Sequence, residues 1–184
     1  MLGKLLSALF GTGLKPTETG DELTRFFKAV STGPVSAVKE FLIRDPGLAT
    51  RQGRWGFSAI HMLDYVDFTK KIDLLIARGA DINARNDKGH TLAHCLSDPE
   101  FLPDLIRHGA NLNARDKEGC TPLMTFLVEP HSREMIEALL KADADPSSVD
   151  DHGRSVMDYA QDYDRFEEDG IAGLIRQSLA RQGK

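Results

Sequence analysis

Residues 79–94 read GADINARNDKGHTLAH, and residues 109–124 read GANLNARDKEGCTPLM. Ten of these 16 positions are identical or conservatively changed, and the phrase returns after 30 residues. A repeat of that period builds a stack of small modules, each burying its apolar face against its neighbours, in place of one core around one pocket. Such a chain is suited to binding more than to catalysis.

Related fragments stand on either side. GFSAIHML begins at Gly56 and GRSVMDYA at Gly153, so the anchoring glycines are Gly56, Gly89, Gly119 and Gly153, at intervals of 33, 30 and 34. A glycine at this point suits a tight turn with unusual backbone angles. Two residues on stands a hydroxyl (Ser58, Thr91, Thr121, Ser155) able to cap a helix start. Pro122 occupies the first helical turn, where proline is tolerated. A second helix follows each short first one. Its apolar stripe is Ile72, Leu75 and Ile76 in 68–77, Leu102, Leu105 and Ile106 in 101–107, and Met135, Ile136, Leu139 and Leu140 in 133–141. Gly79 and Gly109 stop two of these helices in the position that favours left-handed backbone. The third stop is Asp143, which tolerates that geometry less well, so this end is expected to be looser or to terminate differently.

For 184 residues, 41% apolar and 28% charged, a single globular domain is the expectation. No apolar run approaches the length of a membrane span. Cys95 and Cys120 lie outside any CxxC pattern, which argues against a disulfide framework or zinc site and fits a reducing, cytoplasmic setting. The net charge of −5 is unevenly placed: residues 143–170 carry −8 and the remainder +3. The acidic end argues against a nucleic-acid partner there. At the amino terminus, Leu2, Leu5, Leu6, Leu9 and Phe10 fall on one helical face. This reads as a short amphipathic helix and linker over 1–20, with two roles open: capping the first module's apolar edge, or docking on a partner or membrane surface.

The two long phrases, the DADPSSVDDHGRSVMDYA version, and TPLM (121–124) as a variant of the TPLH box together resemble the ankyrin-repeat family. AVSTGPVSAVKEFLIRDPGLAT (29–50) looks like a further helix pair of the same kind, with Gly33 between the helices and Val35, Val38, Phe41 and Leu42 as its stripe. The resemblance covers 21–180 and implies an all-α solenoid of about five helix-turn-helix units with short β-turn fingers. The first unit (21–50) and the last (147–180) are degenerate. Departures from the family pattern are Thr91-Leu92-Ala93-His94, which lacks the proline; SDPEFLP (97–103), which shortens one unit; and a loop around Glu129-Pro130-His131. Such irregularity predicts uneven local stability.

Candidate chemistry is thin. His90 and His94 have the i, i+4 spacing of metal ligands, with Cys95 adjacent, but no acid lies between them and no third ligand is fixed by spacing. The resemblance gives His61 and His94 the TPLH histidine role of inter-repeat hydrogen bonding. No cofactor, metal site or catalytic constellation is expected.

The resemblance places the binding surface on a concave face of fingers and first helices. The fingers are Arg51-Gln52-Gly53-Arg54-Trp55, Arg85-Asn86-Asp87-Lys88, Arg115-Asp116-Lys117-Glu118 and Val149-Asp150-Asp151-His152. Charge runs along them from basic to acidic, an arrangement that orients a partner. The candidate contact set is Arg51, Arg54, Trp55, Asn86, Asp87, Lys88, His90, Asp116, Lys117, Glu118, Asp150, Asp151 and His152. Trp55 beside Arg54 has hot-spot composition, and the alternative is that it folds back on Phe57 or the first unit. The function expected is a non-enzymatic, monomeric binder of one specific protein, as inhibitor, immunity protein or chaperone, in the style of small bacterial ankyrin proteins. The second reading is an effector brought to a membrane by the Leu2–Phe10 helix.

Overall fold

Residues that force the backbone into left-handed turns set the boundaries of the helices. The computed structural model describes residues 18–129, 132–164 and 170–183. The expected Leu2–Phe10 helix and the loop residues Pro130 and His131 lie outside the described residues.

The chain divides into two units, 1–87 and 88–184. The first contains α1 (Glu18–Thr32), α2 (Val35–Arg44) and α3 (Phe68–Ile76), with single 3-10 turns at Pro46–Ala49 and Ala59–Met62. Its core is Phe26, Val30, Val38, Leu42, Leu48, Ile60, Phe68, Ile72 and Leu75, the inward stripes of successive helices. The second contains α4 (Leu92–Cys95), α5 (Leu102–Arg107), α6 (Pro122–Leu127), α7 (Arg133–Lys141), α8 (Val156–Asp164) and α9 (Ile171–Arg181). Its core is Leu92, Leu105, Leu123, Met124, Ile136, Leu139, Val156, Ile171 and Ile175. The described residues are therefore mostly helical, in five helix pairs, and the pair at 21–50 is present as α1 and α2.

The second helices fall where the apolar stripes put them. Their ends repeat one geometry: Ala80, Ala110 and Ala144 donate their N–H groups to Leu75, Leu105 and Leu139, at 3.0, 2.9 and 3.0 Å. Each bond spans a residue with positive φ: Gly79 (87°), Gly109 (79°) and Asp143 (59°). Asp143 thus ends its helix as the glycines do, contrary to the sequence expectation. The local bond outweighs the ~1–2 kcal/mol cost of a side chain in left-handed backbone.

Three of the first helices are short, as the sequence suggests. Ala59–Met62 closes only 3-10 bonds, and α4 is one turn long: Leu96 is already extended, and Asp98, the residue before Pro99, is extended too. One lysine departs from the solvent-facing pattern. Lys71 on α3 is fully buried and its Nζ donates to the Val30 carbonyl, in the last turn of α1, at 2.8 Å. Burial pulls its pKa below the usual lysine range, against the opposing charges of Asp67 and Asp64. Four residues earlier, Asp67 accepts from the Val35 N–H at the start of α2 (3.2 Å). An acid at one helix start and a base at another helix end suit both dipoles and clasp the first helix pair to α3.

Candidate functional site

Three of the four fingers are closed by one backbone bond across the turn. Gly53 donates to the Phe57 carbonyl (2.7 Å), Asp116 to Cys120 (2.9 Å) and Asp150 to Arg154 (2.9 Å). The turns pass through positive φ at Gly56, Gly119 and Gly153 (70°, 80° and 81°), and Gly89 shares this geometry at 82°.

Neighbouring fingers within a unit are joined by a repeated rung. The N–H two residues before one glycine donates to the carbonyl just before the preceding glycine. In the first unit this is Asp87 to Trp55 (2.9 Å); in the second it is Lys117 to Lys88 and Asp151 to Glu118 (both 3.0 Å). Close stacking explains why the glycines are required. A Cβ on Gly56 would lie 2.7 Å from the Asp87 backbone nitrogen, and one on Gly119 would lie 2.5 Å from both Arg115 Nη2 and Asp151 Oδ1.

The acids at the base of the turns belong to this scaffold. Asp116 Oδ1 accepts from the Glu118 and Cys120 N–H groups, both at 2.9 Å. Asp150 Oδ1 accepts from His152 and Arg154 N–H groups at 2.9 and 2.8 Å, and Asp150 Oδ2 from the Tyr159 hydroxyl at 2.7 Å. Burial works against ionising Asp150, but these bonds outweigh it and hold the carboxyl below its usual range. Tyr159 is pushed up, by burial first and then by its bonds to Cys120 and Asp150. The Arg154 guanidinium lies 4.1 Å over the Tyr159 ring and pairs with Asp162 at 2.5 Å.

Three expected contact residues are therefore corrected. Asn86 and Asp150 are 7% and 5% exposed, and the Asp116 side chain 8%. They share one place in the repeated phrase, three residues before the glycine, and that place faces inward. His90 is half-buried: its Nε2 lies 3.2 Å from Asp116 Oδ2 and its ring stacks on His94 with centroids 5.2 Å apart. His94 Nδ1 accepts from the Thr91 N–H (3.1 Å), so its Nε2 carries the proton and donates to the Cys120 carbonyl (3.2 Å). His61 Nδ1 accepts likewise from the Ser58 N–H (3.2 Å). These imidazoles are committed to capping and stacking, and the described residues include no group of three or more side chains placed to hold a metal ion. Burial raises both thiols, Cys95 to about 11, which disfavours the nucleophilic thiolate.

The remaining candidates are exposed: Arg51, Arg54, Trp55, Asp87, Lys88, Lys117, Glu118, Asp151 and His152. Arg51 pairs with Asp45 (2.9 Å) and Asp151 with Arg115 (2.7 Å). Arg115, which the sequence places in a finger but outside the contact set, also donates to the Val149 carbonyl (2.6 Å); its identity with Arg85 in the repeated phrase is the signal of a scaffold role.

Trp55 is unlike the rest. It is 39% exposed and sits in left-handed backbone at φ 57°. The Arg54 guanidinium lies 4.2 Å over its ring and, among the described residues, pairs with no carboxylate. Finger 1 also lacks an acid at its base. Gly53 stands there because a Cβ would lie 2.8 Å from the Phe27 ring of α1.

No protein-family model matches the chain. It is 32% identical over 162 residues to the intracellular phospholipase A2 of Caenorhabditis elegans, covering 80% of this chain and 15% of that protein. It is 35% identical over 112 residues to ankyrin repeat and SOCS box protein 6 of Pongo abelii, covering 55% and 26%. It is 29% identical over 127 residues to neurogenic locus notch homolog protein 1 of Danio rerio, covering 67% and 5%. The chain thus spans a small part of each relative. Recurring glycine turns, paired helices, histidine-capped first helices and these relatives converge: the chain belongs to the ankyrin-repeat family.

Proposed function

We propose that this ankyrin-repeat chain binds one specific protein through its exposed finger tips and acts by occupancy, as an inhibitor, immunity protein or chaperone of that protein. The observation that carries the reading is Trp55. A large aromatic that is 39% exposed at a turn is held in backbone that costs ~1–2 kcal/mol for any residue with a Cβ. Stacked under an arginine that has no carboxylate partner among the described residues, it is a preorganised anchor of the composition enriched in binding hot spots. Asp87 beside it, and Lys117, Glu118, Asp151 and His152 in the second unit, supply further tips that can select among partners by charge.

A non-enzymatic role is supported by where the reactive side chains are spent. His61 and His94 cap helices, Asp116 and Asp150 close turns, and the thiols are raised. The test is capture of the partner by the full chain, comparing wild type with Arg54→Ala/Trp55→Gly. Loss of a specifically bound protein supports the reading, and equal recovery by both chains contradicts it.

A further inference from the structure

A third repeated feature of the stack is broken at one place. In the second unit, the Asn113 carboxamide oxygen accepts from the Asp145 N–H at 2.7 Å, tying the turn of one repeat to the next repeat. Asn113 lies six residues before Gly119, and Asp145 eight before Gly153. The same two places in the first unit are Thr50, six before Gly56, and Asp81, eight before Gly89. Threonine is too short to replace the carboxamide, and its hydroxyl is turned back onto the Gly47 carbonyl (3.2 Å). The Asp81 N–H accordingly has no acceptor among the described residues, while the Asp81 side chain still makes the repeat's usual turn, with Oδ1 accepting from the Asn83 N–H at 2.8 Å.

A groove of about 440 Å³ lies at this gap, lined by Thr50, Gln52, Gly79, Asp81, Ala84 and Arg85. Gly79 adds to the space: a Cβ there would meet only the Thr50 methyl, at 3.8 Å. At ~30 Å³ per water this is room for roughly fifteen, so the groove suits a short stretch of chain more than a single small group.

We infer that the groove is a peptide site that takes an extended segment of the protein partner through an asparagine or glutamine side chain. The inference rests on the protein-binding function proposed above. The incoming carboxamide oxygen accepts the Asp81 N–H, as Asn113 does for Asp145. Its NH2 group donates to Asp81 Oδ2, which accepts from nothing among the described residues. A carboxylate in the same place meets the like charge of Asp81, and an aliphatic side chain leaves both groups unserved.

The substitution that tests this is Thr50→Asn, which supplies the missing carboxamide from within. Thr50 has helical backbone (φ −104°, ψ −11°), which asparagine accepts. The probes are the peptides acetyl-Ala-Asn-Ala-amide, acetyl-Ala-Asp-Ala-amide and acetyl-Ala-Leu-Ala-amide, titrated into the full, nitrogen-15-labelled chain. Wild type should show a saturable shift of the Asp81 amide with the asparagine peptide, and about tenfold weaker binding of the other two. Thr50→Asn should lose the asparagine peptide by about the same factor while its melting temperature rises by roughly 2–4 °C. Trp55→Gly should bind the peptide as wild type does, which separates the groove from the finger tips. An Asp81 amide that does not respond, equal binding of the leucine peptide, or undiminished binding by Thr50→Asn overturns the inference, and each leaves the finger-tip function standing.

Discussion

Finger 1 and finger 4 are closed by the same backbone bond and have opposite economies. Finger 4 is built around Asp150, which gathers two backbone N–H groups and the Tyr159 hydroxyl. Finger 1 has Gly53 at that place because the Phe27 ring fills the space a side chain would need. Its tip is held by the closing bond to Phe57 and the rung to Asp87, and carries a tryptophan in backbone that usually belongs to glycine or asparagine. One finger spends its polar groups on its own shape. The other leaves an aromatic and a cation outward. Conformational cost at an exposed side chain is where binding is best sought.

The largest expected effect on this comparison comes from Gly56→Ala. The added Cβ meets the backbone of Asp87, which cannot give way without breaking the rung, so a loss of about 3 kcal/mol or more is expected. Gly153→Ala has the same positive φ but open space around it, and should cost only about 1 kcal/mol. Calorimetric melting of the two variants separates close stacking from backbone strain. Equal losses would mean that the finger rungs do not constrain the stack.

Next comes Tyr159→Phe, which removes a donor from the carboxylate of finger 4 and should cost about 2 kcal/mol at neutral pH. Its pH signature is specific. The Asp150 pKa is lowered in the fold, so its contribution is full above the unfolded value near ~4 and is lost as pH falls. The Tyr159 pKa is raised, so its contribution is full below ~10 and is lost as pH rises beyond that. Denaturant titrations of wild type should show both limbs. The variant should lack the alkaline limb from this residue and show a weaker acid one. An unchanged alkaline limb would place the Tyr159 ionisation outside the stability of finger 4.

The smallest expected change in stability is that of Trp55→Gly. Relief of ~1–2 kcal/mol of left-handed strain is offset by ~0.5–1 kcal/mol of glycine entropy, so stability should stay within about 1 kcal/mol of wild type.

Much of the scaffold was legible because stacking repeats its demands. The glycine turns, hydroxyl-led helix starts, second-helix stripes and the inter-repeat bond of His94 all follow from fixed offsets, whereas the capping by His61 and His94 was not foreseen. Which finger side chains are exposed was legible only in part. Asn86, Asp116 and Asp150 sit in fingers by their position in the chain, but position does not say which way a side chain points in a turn. Their recurrence at one offset was the available signal, since a place that is polar in every acid-based finger is a place the turn uses. Lys71 and Thr50 show the opposite difficulty. A lysine on an amphipathic helix reads as solvated, and its burial depends on a carbonyl 41 residues away. A missing hydrogen bond has no pattern of its own; it appears only once Thr50 and Asn113 are placed on equivalent structure.

The most direct test of the account is to measure stability and partner binding together for Trp55→Gly, with Tyr159→Phe as the counterpart. The account predicts that Trp55→Gly melts within about 1 kcal/mol of wild type yet loses the partner, whereas Tyr159→Phe melts lower and keeps it at temperatures where it is folded. A Trp55→Gly chain that binds the partner as wild type does would contradict the account.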